Sequence, residues 1–156
     1  MMKKIMGALT SAIVALVSLS PPASAQSAAA PNCQFGNTYS TLVTWEYLKT
    51  RTDVAIGTIQ LCRDSEYKYW GFVLLNNPLT ASQWADAVLT RYREGLQSSI
   101  SCDSPGGNGI VLPGQTRCWT PKFTGLSRLY TFRAEGTVTS SHTGDWYAWG
   151  GTNQTR

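Results

Sequence analysis

The chain has 156 residues, of which only 14% are charged and 11% are aromatic. That length corresponds to one domain, and charged residues make up about 25% of an average protein. Length and composition therefore exclude a disordered tail, a coiled coil and a multidomain enzyme.

The first 25 residues have the pattern of a secretory signal peptide. Lys3 and Lys4 precede an uncharged apolar run over 5–19, and Ala23-Ser24-Ala25 is a small-x-small cleavage motif. The run of about 15 residues is shorter than the roughly 20 that span a bilayer. We therefore expect cleavage after Ala25, a loose leader over 26–32, one domain over 33–156 and a secreted protein with no membrane attachment.

Cleavage also changes the charge of the working protein. Loss of two lysines lowers Lys+Arg from 13 to 11 against nine acids, so the net charge falls from +4 to about +2. A surplus this small does not favour a nucleic-acid partner or a membrane surface.

Four cysteines in an exported chain predict two disulfides. Three pairings are open, and the short loops favour Cys33–Cys62 with Cys102–Cys118. The spacings contain no Cys-x-x-Cys and the chain has 1 histidine, so we expect neither a metal site nor another cofactor.

Strand periodicity recurs along the mature chain, with alternating β-branched and aromatic residues. Predicted strands, in order, cover 41–48, 54–63, 67–75, 82–94 and 96–102, a run starting at Tyr130, and 146–149. Turn signals recur about every ten residues. The pattern predicts an all-β fold, a small antiparallel sandwich or barrel of about seven to eight short strands.

Segment 82–94 is open between strand and helix, because Trp84, Val88 and Tyr92 recur with a period of four. Glu94-Gly95 favours a strand, since it matches a two-residue hairpin turn. Glu135-Gly136 is predicted to form a second turn of the same kind.

The aromatic residues are the main functional signal, because exposed rings stack on sugar faces. Trp45 and Trp70 lie in strongly apolar alternations and are predicted to be core. Tyr67, Tyr147 and Trp149 are the candidate surface rings. Trp146 and Trp149 differ in strand parity and share a face only if a bulge intervenes.

No catalytic set is predicted. His142 lies in a turn-like stretch and is expected to be solvated, without a nucleophile elbow. Among the acids, only Glu46 lies inside an apolar alternation, where burial would raise a carboxyl pKa. A glycoside hydrolase needs two such groups, so this alternative remains weaker than a non-catalytic role.

A second alternative is a proteinase inhibitor. The Cys102–Cys118 loop would present Arg117, or Lys122 beyond it, to a trypsin-like pocket. A bridge that holds such a loop rigid lowers the entropic cost of binding.

The run Ile59-Gln60-Leu61-Cys62-Arg63-Asp64-Ser65, followed by Trp70 and Val73, resembles small secreted actinobacterial proteins with an uncharacterised domain. The resemblance implies an exported β-domain and no particular activity. The predicted function is thus a non-catalytic extracellular binding domain, a monomer whose ligand is a polysaccharide, envelope material or a protein.

Overall fold

The protein folds entirely into strands. The computed structural model describes residues 32–126, 129–140 and 145–156, and these contain no helix, so none that is long and apolar enough to cross a bilayer. The strands are β1 (Gln34–Phe35), β2 (Thr38–Tyr39), β3 (Thr41–Thr50), β4 (Ala55–Arg63), β5 (Lys68–Leu75), β6 (Trp84–Arg93), β7 (Leu96–Ser101), β8 (Arg117–Trp119), β9 (Phe123–Thr124), β10 (Thr131–Thr139) and β11 (Trp146–Gly151). The predicted all-β class with two disulfides is confirmed.

Nine of the strands form one antiparallel sheet, and β1 and β2 form a separate hairpin. The sheet order is β7-β6-β10-β11-β3-β4-β5-β8, with β9 also paired to β5. The sheet curls until β5 faces β6 and β10. A Cβ placed on Gly71 of β5 would lie at ordinary contact distances of 3.6 Å from Ala134 and 3.8 Å from Ala87, so the two halves of the sheet pack directly against each other.

The core fills the inner face of this curl. Strand alternation decides its membership, as in β10, where Phe132, Ala134 and Val138 point inward and are buried. Tyr69 of β5 stacks on Phe132 with ring centroids 4.1 Å apart. Burial of these side chains is the main stabilising term of the fold.

A second apolar cluster lies on the outer face of β4 and β5. It contains the Cys33–Cys62 disulfide, Trp70 and Phe72, all buried. The β1–β2 hairpin covers it, and the indole Nε1 of Trp70 donates a hydrogen bond to the carbonyl of Gln34 at 3.1 Å.

A disulfide and a loop join the two edges of the curled sheet. Cys102 follows β7 and bonds Cys118 of β8, with Cα atoms 6.0 Å apart. In the loop between them, Asn108 Oδ1 accepts a hydrogen bond from the Trp119 amide at 2.7 Å, and the Asn108 amide donates to the Trp119 carbonyl at 3.3 Å. These bonds occupy the free edge of β8, which would otherwise be open to another chain. Both favoured disulfide pairings are confirmed.

The first predicted hairpin is confirmed. Segment 82–94 contains strand β6, and Arg93 pairs with Leu96 across the two-residue turn. Glu94 and Gly95 have φ of 50° and 81°, as a type I′ turn requires.

The second predicted Glu-Gly turn is wrong. Glu135 and Gly136 lie inside β10, paired with Val88 and Ala87 of β6. Gly136 serves close packing here, because a Cβ at this position would lie 2.8 Å from Leu48 and 3.1 Å from Ile59.

The prediction that Trp45 is core is also wrong, whereas Trp70 is buried as predicted. A bulge at Val43 interrupts the alternation of β3. Val43 packs against the inner core, and Trp45 projects from the outer face with 44% of its surface exposed.

Several predictions concern residues outside the described ranges. The signal peptide over 1–25, most of the leader and His142 belong to this group. Asn32, the last leader residue, accepts a hydrogen bond from Gln60.

Candidate functional site

Two exposed rings on β3 border a groove on the outer face of the sheet. Trp45 and Tyr47 are each 44% exposed, and their ring centroids lie 4.8 Å apart with planes at 88°. The groove, which we call the aromatic groove, has a volume of about 320 Å³ and is lined by Asn32, Leu42, Trp45, Tyr47, Thr58 and Gln60. Its wall therefore combines ring faces with amide and hydroxyl groups.

The floor of the aromatic groove is held rigid by Gln60. This side chain is buried, and its Oε1 accepts a hydrogen bond from the Cys33 amide at 2.9 Å. Its Nε2 donates to Asn32 Oδ1 at 2.8 Å and to Thr58 Oγ1 at 3.1 Å. A polar network with its partners satisfied orients the groups at the rim before any ligand arrives.

Register places Gln60 opposite Trp45 and Thr58 opposite Tyr47. Each ring thus stands beside a polar residue of the neighbouring strand. Ligand pockets commonly have this composition, with apolar and aromatic walls and a few fixed polar groups.

Trp149 of β11 extends the same outer face. It pairs with Lys49 of β3, so it is a diagonal neighbour of Tyr47, at about 7–8 Å in ordinary sheet geometry. Its ring passes close to Gly151, beside the ion pair of Arg133 and Glu135 at 3.2 Å. Trp45, Tyr47 and Trp149 are therefore three exposed rings on one face of the sheet.

The three predicted surface rings are all exposed, but they lie in different places. Tyr67 is 50% exposed next to Arg63, whose Cζ lies 4.9 Å from the ring centroid. Tyr147 lies at a bulge in β11, next to Val54. Of the three, Trp149 lies on the sheet face of the aromatic groove, next to its lining residues in sequence register.

The sequence predicts that Trp146 and Trp149 share a face only if a bulge lies between them. Strand β11 contains such a bulge. It pairs Trp149 with Thr137 and Trp146 with Thr139, two residues on one face of β10, so the condition for a shared face is met. Trp146 nevertheless points to another hollow, where Arg51 lies 4.9 Å over its ring.

The candidate inhibitor residues are occupied by contacts within the protein. Arg117 belongs to β8 and donates a hydrogen bond to Gln34 Oε1 at 2.7 Å. Lys122 pairs with Asp64 at 2.9 Å. An inhibitor loop needs a free basic side chain on a projecting segment, so these contacts weigh against that alternative.

Glu46 does not meet the premise of the hydrolase alternative. Glu46 is exposed, and its Oε1 accepts a hydrogen bond from the Tyr47 amide at 2.9 Å. The burial that the hydrolase alternative requires is therefore lacking at this position.

Asp86, Cys102 and Cys118 bring potential metal ligands within 4.8 Å of one another. The two sulfurs are joined as a disulfide and do not act as thiolate ligands. Burial raises the pKa of Asp86, although the amides of Cys102 and Ala87 act to lower it. This cluster therefore belongs to the junction between the sheet edges.

Trp45 and Tyr47 were missed as site residues because the two faces of β3 have similar compositions, each with apolar side chains and one charged side chain. One face continues from Tyr47 to Lys49, which favours solvent. The other contains Glu46, which favours solvent equally. The sequence offers no further signal that separates the two faces.

Comparison with known proteins gives one partial similarity. No family model matches the chain, and no solved structure matches it. The chain is 37% identical over 75 residues to the uncharacterised protein YjfA of Bacillus subtilis strain 168. The similarity covers 47% of this chain and 46% of that protein, so the match spans less than half of each.

Proposed function

We propose that this protein is a non-catalytic, extracellular carbohydrate-binding protein that holds a polysaccharide chain in the aromatic groove. The observation that carries the proposal is the pair of exposed rings, Trp45 and Tyr47, beside a fixed amide floor. Sugars present C–H faces that stack on rings and hydroxyls that bond to polar side chains, such as the exposed Asn32 amide that Gln60 holds in place, so one groove serves both needs.

The disulfides support an extracellular role. The two disulfides are typical of proteins that work outside the cell. We also propose that the chain is exported through a signal peptide over 1–25. The same proposal includes a relationship to small secreted actinobacterial proteins. The ligand would then be material of the envelope or surroundings, bound by one chain without a cofactor.

Trp45→Ala tests the proposal. Purified protein is incubated with insoluble glucan, chitin and peptidoglycan, and the bound fraction is measured. We expect the unmodified protein to bind at least one of them, and Trp45→Ala to bind at least about tenfold more weakly, as loss of a central tryptophan does at many interfaces. Tyr47→Ala is expected to weaken binding in the same direction.

The matched control is Trp146→Ala. Trp146 is also 44% exposed but lies in a different hollow, so its removal should leave binding unchanged. Retention of none of the three polysaccharides, or equal losses from Trp45→Ala and Trp146→Ala, would refute a role for the aromatic groove.

A further inference from the structure

A basic hollow lies at one end of the curled sheet, where β4 ends and β5 and β10 begin. It has a volume of about 330 Å³ and is lined by Arg63, Tyr67, Tyr69, Gly125, Leu126, Tyr130 and Arg156. We call it the arginine–tyrosine hollow. Closed and curled sheets commonly bind ligands at such mouths.

The two arginine side chains of this hollow form no ion pair with an acidic side chain of the described residues. In the part of the chain that the structure describes, no carboxylate lies within 4.0 Å of the Arg63 or Arg156 guanidinium. The nearest acids in sequence are already paired, Asp64 with Lys122 at 2.9 Å and Glu66 with Lys68. Neither guanidinium therefore has an Asp or Glu carboxylate as a counter-ion among these residues.

Further arginines extend the positive region beside Tyr130. The Cζ of Arg91 lies 4.5 Å from the Tyr130 ring centroid, and that of Arg93 lies 5.5 Å from it. Glu94 approaches Arg93 only at 4.0 Å and is well exposed. Clustered charge of one sign in a concave site raises the local concentration of the opposite ion.

Tyr67 is held in an unfavourable backbone conformation at the rim. Its φ is +57°, a left-handed value that is uncommon for an aromatic residue and tends to mark functional sites. Asp64 holds this turn, since its Oδ1 accepts hydrogen bonds from the amides of Glu66 and Lys68 at 2.9 Å.

Glycine at position 125 brings the opposite wall close. Its amide donates to the Tyr67 carbonyl at 2.8 Å. A side chain at this position would collide with the ring of Tyr69. The hollow is thus shaped before a ligand binds, which lowers the entropic cost of binding.

We propose that the arginine–tyrosine hollow is a second binding site, specific for an oxyanion carried on a hydroxylated chain. Arg63 and Arg156 bind the carboxylate or phosphate, since a planar guanidinium matches either group with two parallel hydrogen bonds. Tyr67 stacks against the chain beside the charged group. The site is separate from the aromatic groove and does not depend on it.

Titration calorimetry at low salt tests this site with three probes: a galacturonate trimer, a glycerol phosphate oligomer and an uncharged galactose trimer. We expect at least one charged probe to bind at this site, with Arg63→Gln reducing its affinity at least about tenfold. The uncharged trimer is expected to show no dependence on Arg63. Added salt should weaken binding of the charged probe.

Arg51→Gln is the matched control, because Arg51 also lies 4.9 Å over an exposed ring, that of Trp146. It should leave the affinity unchanged, and any loss caused by Trp45→Ala would report binding in the aromatic groove rather than in this hollow. The charged probe that binds identifies carboxylate or phosphate as the natural group. Binding of neither charged probe, or binding that Arg63→Gln and Arg51→Gln reduce equally, would overturn the proposal.

Discussion

Asp64 and Lys122 connect three parts of the fold through one ion pair. Lys122 Nζ lies 2.9 Å from Asp64 Oδ2 and also 4.4 Å from the Phe35 ring centroid and 4.8 Å from that of Trp70. The pair thus ties the β4–β5 turn to the loop before β9 and to the N-terminal hairpin. Both side chains are largely shielded from water, so the interaction is stronger than an ordinary surface ion pair.

The pKa of Asp64 reflects these contacts. Burial acts to raise it, but the hydrogen bonds from Lys122 and from the Lys68 and Glu66 amides outweigh burial and hold the pKa below its usual value. A carboxyl with a lowered pKa contributes stability above its unfolded pKa of about 3.9, and this contribution is lost as the pH falls through the folded-state pKa.

Asp64→Asn is expected to lower the free energy of unfolding at pH 7 by about 2 kcal/mol, the cost of leaving a partly buried lysine without its carboxylate. The loss should shrink as the pH falls below the unfolded-state pKa of about 3.9 and through the lower folded-state pKa, because the native Asp64 becomes protonated too. Urea unfolding of both proteins at pH 7 and at pH 3 measures this difference. Asp86 titrates in both proteins, so it does not bias the comparison.

The control at the same scale is Asp53→Asn. Asp53 pairs with Lys49 at 2.9 Å, but its side chain is 81% exposed, and Asn accepts its φ of 64°. Stability should be nearly unchanged. An Asp64→Asn protein as stable as the native one at pH 7 would show that the buried pair is not a stabilising contact.

At the level of elements, β10 depends on glycine where the sheet closes on itself. Gly136 packs under Leu48, Ile59 and Val73, and an added Cβ would lie between 2.8 and 3.2 Å from them. The core is closely packed, so these side chains have little room to move away from an added methyl group.

Gly136→Ala is expected to cost about 1–3 kcal/mol, the usual range for overpacking a core. Gly71→Ala is the matched substitution in β5, where the nearest atom to an added Cβ is the Thr120 methyl at 3.4 Å. It should change stability by less than about 1 kcal/mol, because alanine fits there at ordinary contact distances and also restricts the unfolded chain. Chemical denaturation distinguishes the two, and equal midpoints for both variants would contradict the packing argument.

For the whole molecule, the Cys102–Cys118 bridge has a different role from the Cys33–Cys62 bridge. The first joins the two edges of the nine-stranded sheet, and the second fastens the N-terminal hairpin to β4. In the chain-entropy model each closed loop contributes about 3–4 kcal/mol. The two bridges are therefore expected to contribute similarly to total stability but to protect different strands from local opening.

Replacing Cys102 and Cys118 together by alanine should speed amide hydrogen exchange in β7, β8 and the loop that carries Asn108. Replacing Cys33 and Cys62 should speed exchange mainly in β1 and β2, because the sheet edges remain joined. Exchange measured by mass spectrometry on both double variants provides the check. Unchanged protection of β8 after loss of Cys102–Cys118 would contradict the assigned role.

Local sequence patterns suffice for the long strands, the Glu94-Gly95 hairpin and the pairing of the cysteines. Each depends on residues close together in the chain, such as the alternation of Trp70, Phe72 and Leu74 or the short loops between paired cysteines. The short strands β1, β2, β8 and β9 are not predictable in this way, since two or three residues are too few to show a period.

Tertiary structure decided where Trp45 lies, why Gly136 is needed and which basic side chains face the hollow. One bulged residue at Val43 exchanges the faces of a strand, and the curl of the sheet brings β4, β5 and β10 together at one end. By itself the sequence determined the long strands and favoured the correct bridges, because these follow from residues close together along the chain. The binding surfaces depended on register and closure, which are set by contacts between residues far apart in sequence.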